Sequence, residues 1–208
     1  IYMMQVNGDI LIRSVLLQTG FVSFLFFGAE LGDVTLAANQ VLLQFVYLAS
    51  YAMDGFVFAA ESLVGQAMGA RAVAQLRRGA SVTAVWAFGT AFALAAGFWI
   101  MGPFVIDVMA KDPAVQQAAR LYLPHMVAAP LLGALAWMLD GVFIGATRTK
   151  DMRNMMVLSF LGYCGLVLLL LPSFGNHGLW MAMNGFFILR GISLALRYPA
   201  LERVAAAP

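Results

Sequence analysis

Hydrophobic residues run along this chain in six long blocks, each closed by a short connector rich in charge, Pro or Gly. The blocks lie at about 10–28, 38–68, 79–106, 115–146, 155–171 and 178–196. Each has the ~17–25 apolar residues or more that a helix needs to cross a ~30 Å hydrocarbon layer. A backbone in lipid must satisfy its own polar groups, so blocks of this length predict transmembrane helices. The predicted fold class is an all-α membrane protein, one six-helix bundle over residues 1–208.

The second block departs from a uniform apolar pattern. Gln40, Gln44, Tyr47, Tyr51, Asp54, Phe58, Glu61 and Gly65 follow steps of four and three, which places them in one stripe. Asn39 sits beside its start, and the opposite face is Leu, Val, Ala and Phe. One face of this helix therefore avoids lipid. It either packs on neighbouring helices through hydrogen bonds or lines a substrate or ion cavity. A carboxylate in hydrocarbon costs on the order of 2.5–3.5 kcal/mol even on a lenient insertion scale. Asp54 and Glu61 are accordingly the leading candidates for ion coupling, with Gln40, Gln44, Tyr47 and Tyr51 as cavity-lining candidates.

Composition agrees with a bilayer. The chain has 208 residues, 62% hydrophobic and 11% charged. Soluble domains carry about 25% charged residues. A net charge of +2 gives no reason to invoke nucleic acid. Position matters more than sum. Arg71, Arg77 and Arg78 lie between blocks two and three, Arg148, Lys150 and Arg153 between four and five, and Arg197 and Arg203 after six. The other connectors hold one Lys, Lys111. The positive-inside rule then places both ends and the basic connectors in the cytoplasm, for a multi-pass protein of a bacterial inner membrane. Residues 107–113 and 172–178 read as outside turns broken by Pro and Gly.

Other charges share a level. Glu61, Asp140 and Arg190 each lie about 10–15 Å from the cytoplasmic boundary at ~1.5 Å per residue. Unpaired charges there are costly, so the three are expected to form a buried ion-pair cluster around Arg190. Asp54 lies deeper, with no cation assigned to it. Pro124 and Pro130 in the fourth block remove two backbone donors and are candidate helix-bend positions. The pairs in GQAMG (65–69) and GVFIG (141–145) are spaced for close helix contact.

Several chemistries find no support. The single Cys164 allows no intrachain disulfide. His125 has no second His at ligand spacing, so no metal site is expected. No nucleophile elbow, P-loop, HExxH or dinucleotide fingerprint occurs. The protein is not expected to be an enzyme or to use a cofactor. The chain begins IYMMQVNGDI, without an initiator Met, and reads as the inner part or a processed piece of a longer protein.

Three stretches carry a family resemblance. AANQVLLQFVYLASYAMDGFVFAAESLVGQAMGAR (37–71) resembles the core helix of the C-terminal lobe in multidrug and toxic compound extrusion (MATE) transporters. LDGVFIGATRTKDMRN (139–154) and NHGLWMAMNGFFILRGISLALRYPALER (176–203) are similar to the DinF branch of that family. The resemblance covers nearly all of the chain. It implies one lobe, helices seven to twelve, of a two-lobe antiporter that expels cationic or amphipathic compounds in exchange for H⁺ or Na⁺. The implied partners are a small amphipathic substrate, the coupling ion, the lipid bilayer and an N-terminal six-helix lobe missing from this chain. Two departures qualify the transfer of roles. The acidic positions of the NorM-like branch align with Leu17 or Gln18 and with a position near Gly133, none of them acidic. The DinF-like branch couples through an Asp in the other lobe.

The reading that follows is a secondary active multidrug antiporter lobe. Two alternatives stand beside it. A lipid-linked oligosaccharide flippase of the same superfamily would show more cations within the cavity. A non-transporting membrane scaffold would seal Asp54 and Glu61 between helices.

Overall fold

A computed structural model describes residues 2–206. These form six helices: α1 (Tyr2–Glu30), α2 (Asp33–Gly69), α3 (Val73–Met109), α4 (Pro113–Gly145), α5 (Thr149–Phe174) and α6 (Asn176–Ala206). All six are long and apolar enough to cross a membrane. There is no strand among the described residues.

Every helix but α4 runs past its apolar block at both ends. α2 and α3 have 37 residues each, about 55 Å at 1.5 Å per residue, well beyond the ~30 Å of hydrocarbon. The polar turns at their ends keep helical hydrogen bonding where water or headgroups can solvate the side chains. Hydropathy marks the hydrocarbon, not the end of the hydrogen-bond ladder.

Connectors of one to three residues force consecutive helices to run antiparallel. Each has a local cause. Gly32 takes φ 114 between α1 and α2, a conformation L side chains rarely adopt. Asp112 caps α4 by accepting from the Ala114 amide at 2.8 Å, with Pro113 opening the helix. α2 and α4 end alike, with Arg71 at φ 52 and Thr147 at φ 55. In each case the next amide reaches back five residues, Ala72 to the Ala67 carbonyl and Arg148 to the Phe143 carbonyl, both at 2.9 Å. These are the long bonds of a Schellman-type cap.

Residues 172–178 do not form the turn expected of them. α5 continues through Pro172 to Phe174, and Gly175 alone turns the chain at φ 56. Pro172 falls in the last turns of its helix, where the lost donor disturbs little that follows. α4 likewise runs unbroken through Pro124 and Pro130.

α4 is the central helix, packed on α2, α3 and α6, while α5 pairs with α6 and carries α1. Apolar side chains gain little by leaving lipid for protein, so close backbone approach must hold such helices together. Gly141 faces the Val57 backbone and Gly145 the Glu61 backbone so closely that a Cβ on either would collide. The second small-residue pair is used less. Gly65 lies beside the Gly145 carbonyl, and Gly69 faces open space.

Candidate functional site

Most of the α2 stripe points away from the bundle. Gln40, Gln44, Tyr51, Asp54 and Phe58 are exposed, while Leu42, Val46, Ala49, Met53, Ala60 and Val64 on the other side are buried. Asp54 makes no ion pair or side-chain hydrogen bond among the described residues. The part of the stripe formed by Gln40, Gln44, Tyr51, Asp54 and Phe58 is therefore not a packing surface for the other five helices of this chain.

Its ends open into hollows. Gln44 stands at the edge of an apolar cavity of about 790 Å³ between α2 and α3, walled by Phe45, Leu48, Trp86, Phe98 and Met101. Gln40 and Gln44 also line a smaller hollow beside Lys111 and Asp112. Tyr47 is half-buried, its ring 5.3 Å from that of Phe21 on α1. Glu61 is half-buried in a groove with Ser62, Gln66 and Thr147.

The expected cluster of Glu61, Asp140 and Arg190 has a different membership. Arg190 Nη2 donates to Asp140 Oδ2 at 2.7 Å, joining α6 to α4. Arg13 of α1 donates to the same oxygen. Glu61 is absent from this group. A shared depth places residues at one level along the helix axis but does not orient them. Glu61 lies with its backbone against Gly145 and lines the groove of Thr147. Arg13 takes its place. It was available in the first block at a similar level, and only the packing of α1 brings it to Asp140.

The group is deeply buried. The side chains of Asp140 and Arg190 are 4% and 1% exposed, and that of Arg13 is 17% exposed. One carboxylate thus serves two guanidiniums. Arg190 also lies over the Phe186 ring, 5.8 Å from its centroid.

Three further polar contacts were not legible in the sequence. Asp9 accepts from Arg153 at 2.5 Å and from the Thr149 hydroxyl at 3.1 Å, tying α1 to α5. Asp9 and Arg13 are four apart on α1, so one face carries both attachments. Asn39 and Asn176 exchange amide hydrogen bonds at 2.7 and 2.9 Å, and Trp180 Nε1 donates to Asn39 at 2.9 Å. Asn39 was expected beside the polar stripe; it is buried and holds α2 to α6. His125 is not isolated: its Nε2 lies 3.0 Å from His177 Nδ1, and Asn184 donates to its carbonyl at 3.0 Å. No set of three or more His, Cys, Asp or Glu is placed to hold a metal among the described residues.

This arrangement has one rigid side and one open side. Asp9 and Arg13 on α1, Asp140 on α4, Arg153 on α5 and Arg190 on α6 are spent on one another. Asp54 and Glu61 on α2 are in no ion pair among the described residues, and exposed Asp54 lies mid-helix where a bilayer or another protein surface must face it.

Comparison with known proteins bears on what that surface is. A family model described as MatE matches residues 10–171. DNA damage-inducible protein F of Escherichia coli is 39% identical over 93% of this chain and 42% of its own length. The probable multidrug resistance protein NorM of Pseudomonas aeruginosa is 30% identical over 81% of this chain and 36% of its length. The crystal structure of the Vibrio cholerae MATE transporter VcmN superposes with a TM-score of 0.85 at 17% identity, over 95% of this chain and 45% of that one. The chain thus spans less than half the length of these relatives.

Proposed function

The chain belongs to the MatE family, and from that premise we propose that it is the C-terminal lobe of a two-lobe antiporter. In this reading the complete protein exports cationic or amphipathic compounds from a bacterial cell in exchange for H⁺ or Na⁺. Both ends and the basic connectors face the cytoplasm. The observation that carries the proposal is the exposed α2 stripe. Gln44, Tyr51, Asp54 and Phe58 lie on a face that no other helix of the chain covers. A second lobe across from it would close a cavity with a carboxylate, amide and aromatic lining.

Such a lining suits the substrate class. Aromatic rings and the apolar α2–α3 cavity offer contact for flat apolar groups. Asp54 offers a charge for a cation, or a site for a proton when the cation leaves. Alternating access requires only that ion and substrate bind the two arrangements of the lobes unequally. The clamps at Asp140 and Asp9 suit a lobe that moves as one body.

The flippase alternative is not favoured. A pyrophosphate headgroup would call for cations on the cavity face, yet the stripe carries acids and no Lys or Arg. Arg13 and Arg190 are tied to Asp140. The scaffold alternative calls for sealed carboxylates, and Asp54 is exposed.

The test is Asp54→Asn in cells that produce this chain with its partner lobe. Drug resistance should fall and lose its pH dependence, with abundance and thermal stability near wild type. Wild-type resistance across about pH 6 to 8 would retire Asp54 as a transport residue.

A further inference from the structure

Three arginines, Arg77, Arg78 and Arg203, gather where α6 ends and α3 begins, and one of them organises the rest. Arg77 holds Glu202 in a two-pronged contact, Nε to Oε1 and Nη2 to Oε2, both 2.8 Å. This pins the turns of α6 beyond Pro199 onto the first turns of α3, with Leu76 and Leu201 buried beneath. Chain adjacency then brings Arg78 and Arg203 to either side of the pair. Both are exposed, as is Arg197. None of these three forms an ion pair among the described residues. Arg77, Arg78 and Arg203 beside one glutamate leave the junction with two positive charges in excess.

The surface next to these cations is apolar. On α3, Arg78 is followed at every second turn by exposed Val85, Phe92 and Trp99. On α6, Arg203 is preceded by exposed Pro199, Leu196 and Ile192 at spacings of four, three and four. Each helix therefore presents an apolar strip that ends in a free arginine. A face meant only for water would not have such strips beside its charges. A lipid fits both parts, with acyl chains along the strips and its phosphate at the arginines.

We infer that the junction of α3 and α6 is a docking surface for anionic phospholipid, in which Arg78 and Arg203 hold the headgroup phosphate. Arg77 and Glu202 set the spacing between them. Zwitterionic lipid brings its own cation to the site and leaves the excess charge unmet. Anionic lipid does not, at about 1 kcal/mol for each basic residue near the headgroups. This inference is independent of the transport reading and holds whatever the substrate.

The experiment is lipid competition on the purified 208-residue chain. Equilibrated in detergent with equal amounts of phosphatidylglycerol and phosphatidylcholine, the chain should retain phosphatidylglycerol preferentially when retained lipids are counted by native mass spectrometry. Removing two cations in Arg78→Gln/Arg203→Gln should lower that preference by up to about 30-fold at low salt, at about 1 kcal/mol each. Either single variant should lower it about 5-fold by the same constant, and these serve if the double variant does not stay monodisperse. Arg78→Lys/Arg203→Lys should keep most of the preference. Lys111→Gln, at the opposite end of the bundle, should leave it unchanged. Equal retention of both lipids by the wild-type chain overturns the inference. So does wild-type preference in the Gln variants, or an equal loss in Lys111→Gln.

Discussion

Asp140→Asn is the most informative single change in this bundle. It keeps the shape of the side chain and removes the one negative charge shared by Arg13 and Arg190. Arg190 is 1% exposed and cannot reach solvent without repacking α6 against α4. Breaking a buried ion pair by removing one partner costs roughly 3–5 kcal/mol, because the other charge is left uncompensated. Here one carboxylate compensates two cations, so the loss should lie at the upper end, about 5 kcal/mol. Arg13→Gln should cost much less, about 1 kcal/mol, because Arg13 is 17% exposed and Asp140 keeps Arg190. Arg190→Met should fall between, since Asp140 keeps Arg13. Asp140→Leu/Arg190→Met should recover part of the loss, because it removes both members of the most buried pair. Unfolding of the purified chain in mixed detergent and SDS, followed by circular dichroism, gives the four free energies. The order Asp140→Asn, then Arg190→Met, then Arg13→Gln is the essential result. An Asp140→Asn protein within about 1 kcal/mol of wild type would refute the shared-carboxylate account, as would a double variant no better than Asp140→Asn.

Two other outcomes follow from packing and charge. Gly145→Ala places a Cβ against the Glu61 backbone and should destabilise by about 1–3 kcal/mol, whereas Gly69→Ala meets nothing within 4 Å and should be neutral or slightly stabilising in the same assay. In a Cys164→Ser background, Ala74→Cys should react with membrane-impermeant maleimide only after the cytoplasmic face is opened, and Lys111→Cys in intact spheroplasts; the reverse pattern would invert the topology.

The six helices, their order and the stripe on α2 are properties of the sequence by itself. Hydropathy along the chain and angle around one helix are local quantities, set by 1.5 Å of rise and 3.6 residues per turn. They need no knowledge of neighbours. The sequence also determined that one face of α2 is unsuited to lipid, since Gln40, Gln44, Asp54 and Glu61 stand on it whatever packs nearby. Which face meets which helix was decided only in three dimensions. The close approach of Gly141 and Gly145 to the Val57 and Glu61 backbones fixes how α4 sits on α2. That rotation turns Glu61 into a groove and leaves Asp140 to Arg190 and Arg13. The same holds for His125 with His177, and for Asn39 with Asn176 and Trp180, whose partners lie more than 50 residues away. Depth in the membrane is legible from one helix. A partner requires a second helix in a known orientation, and only the packing of helix on helix supplies it.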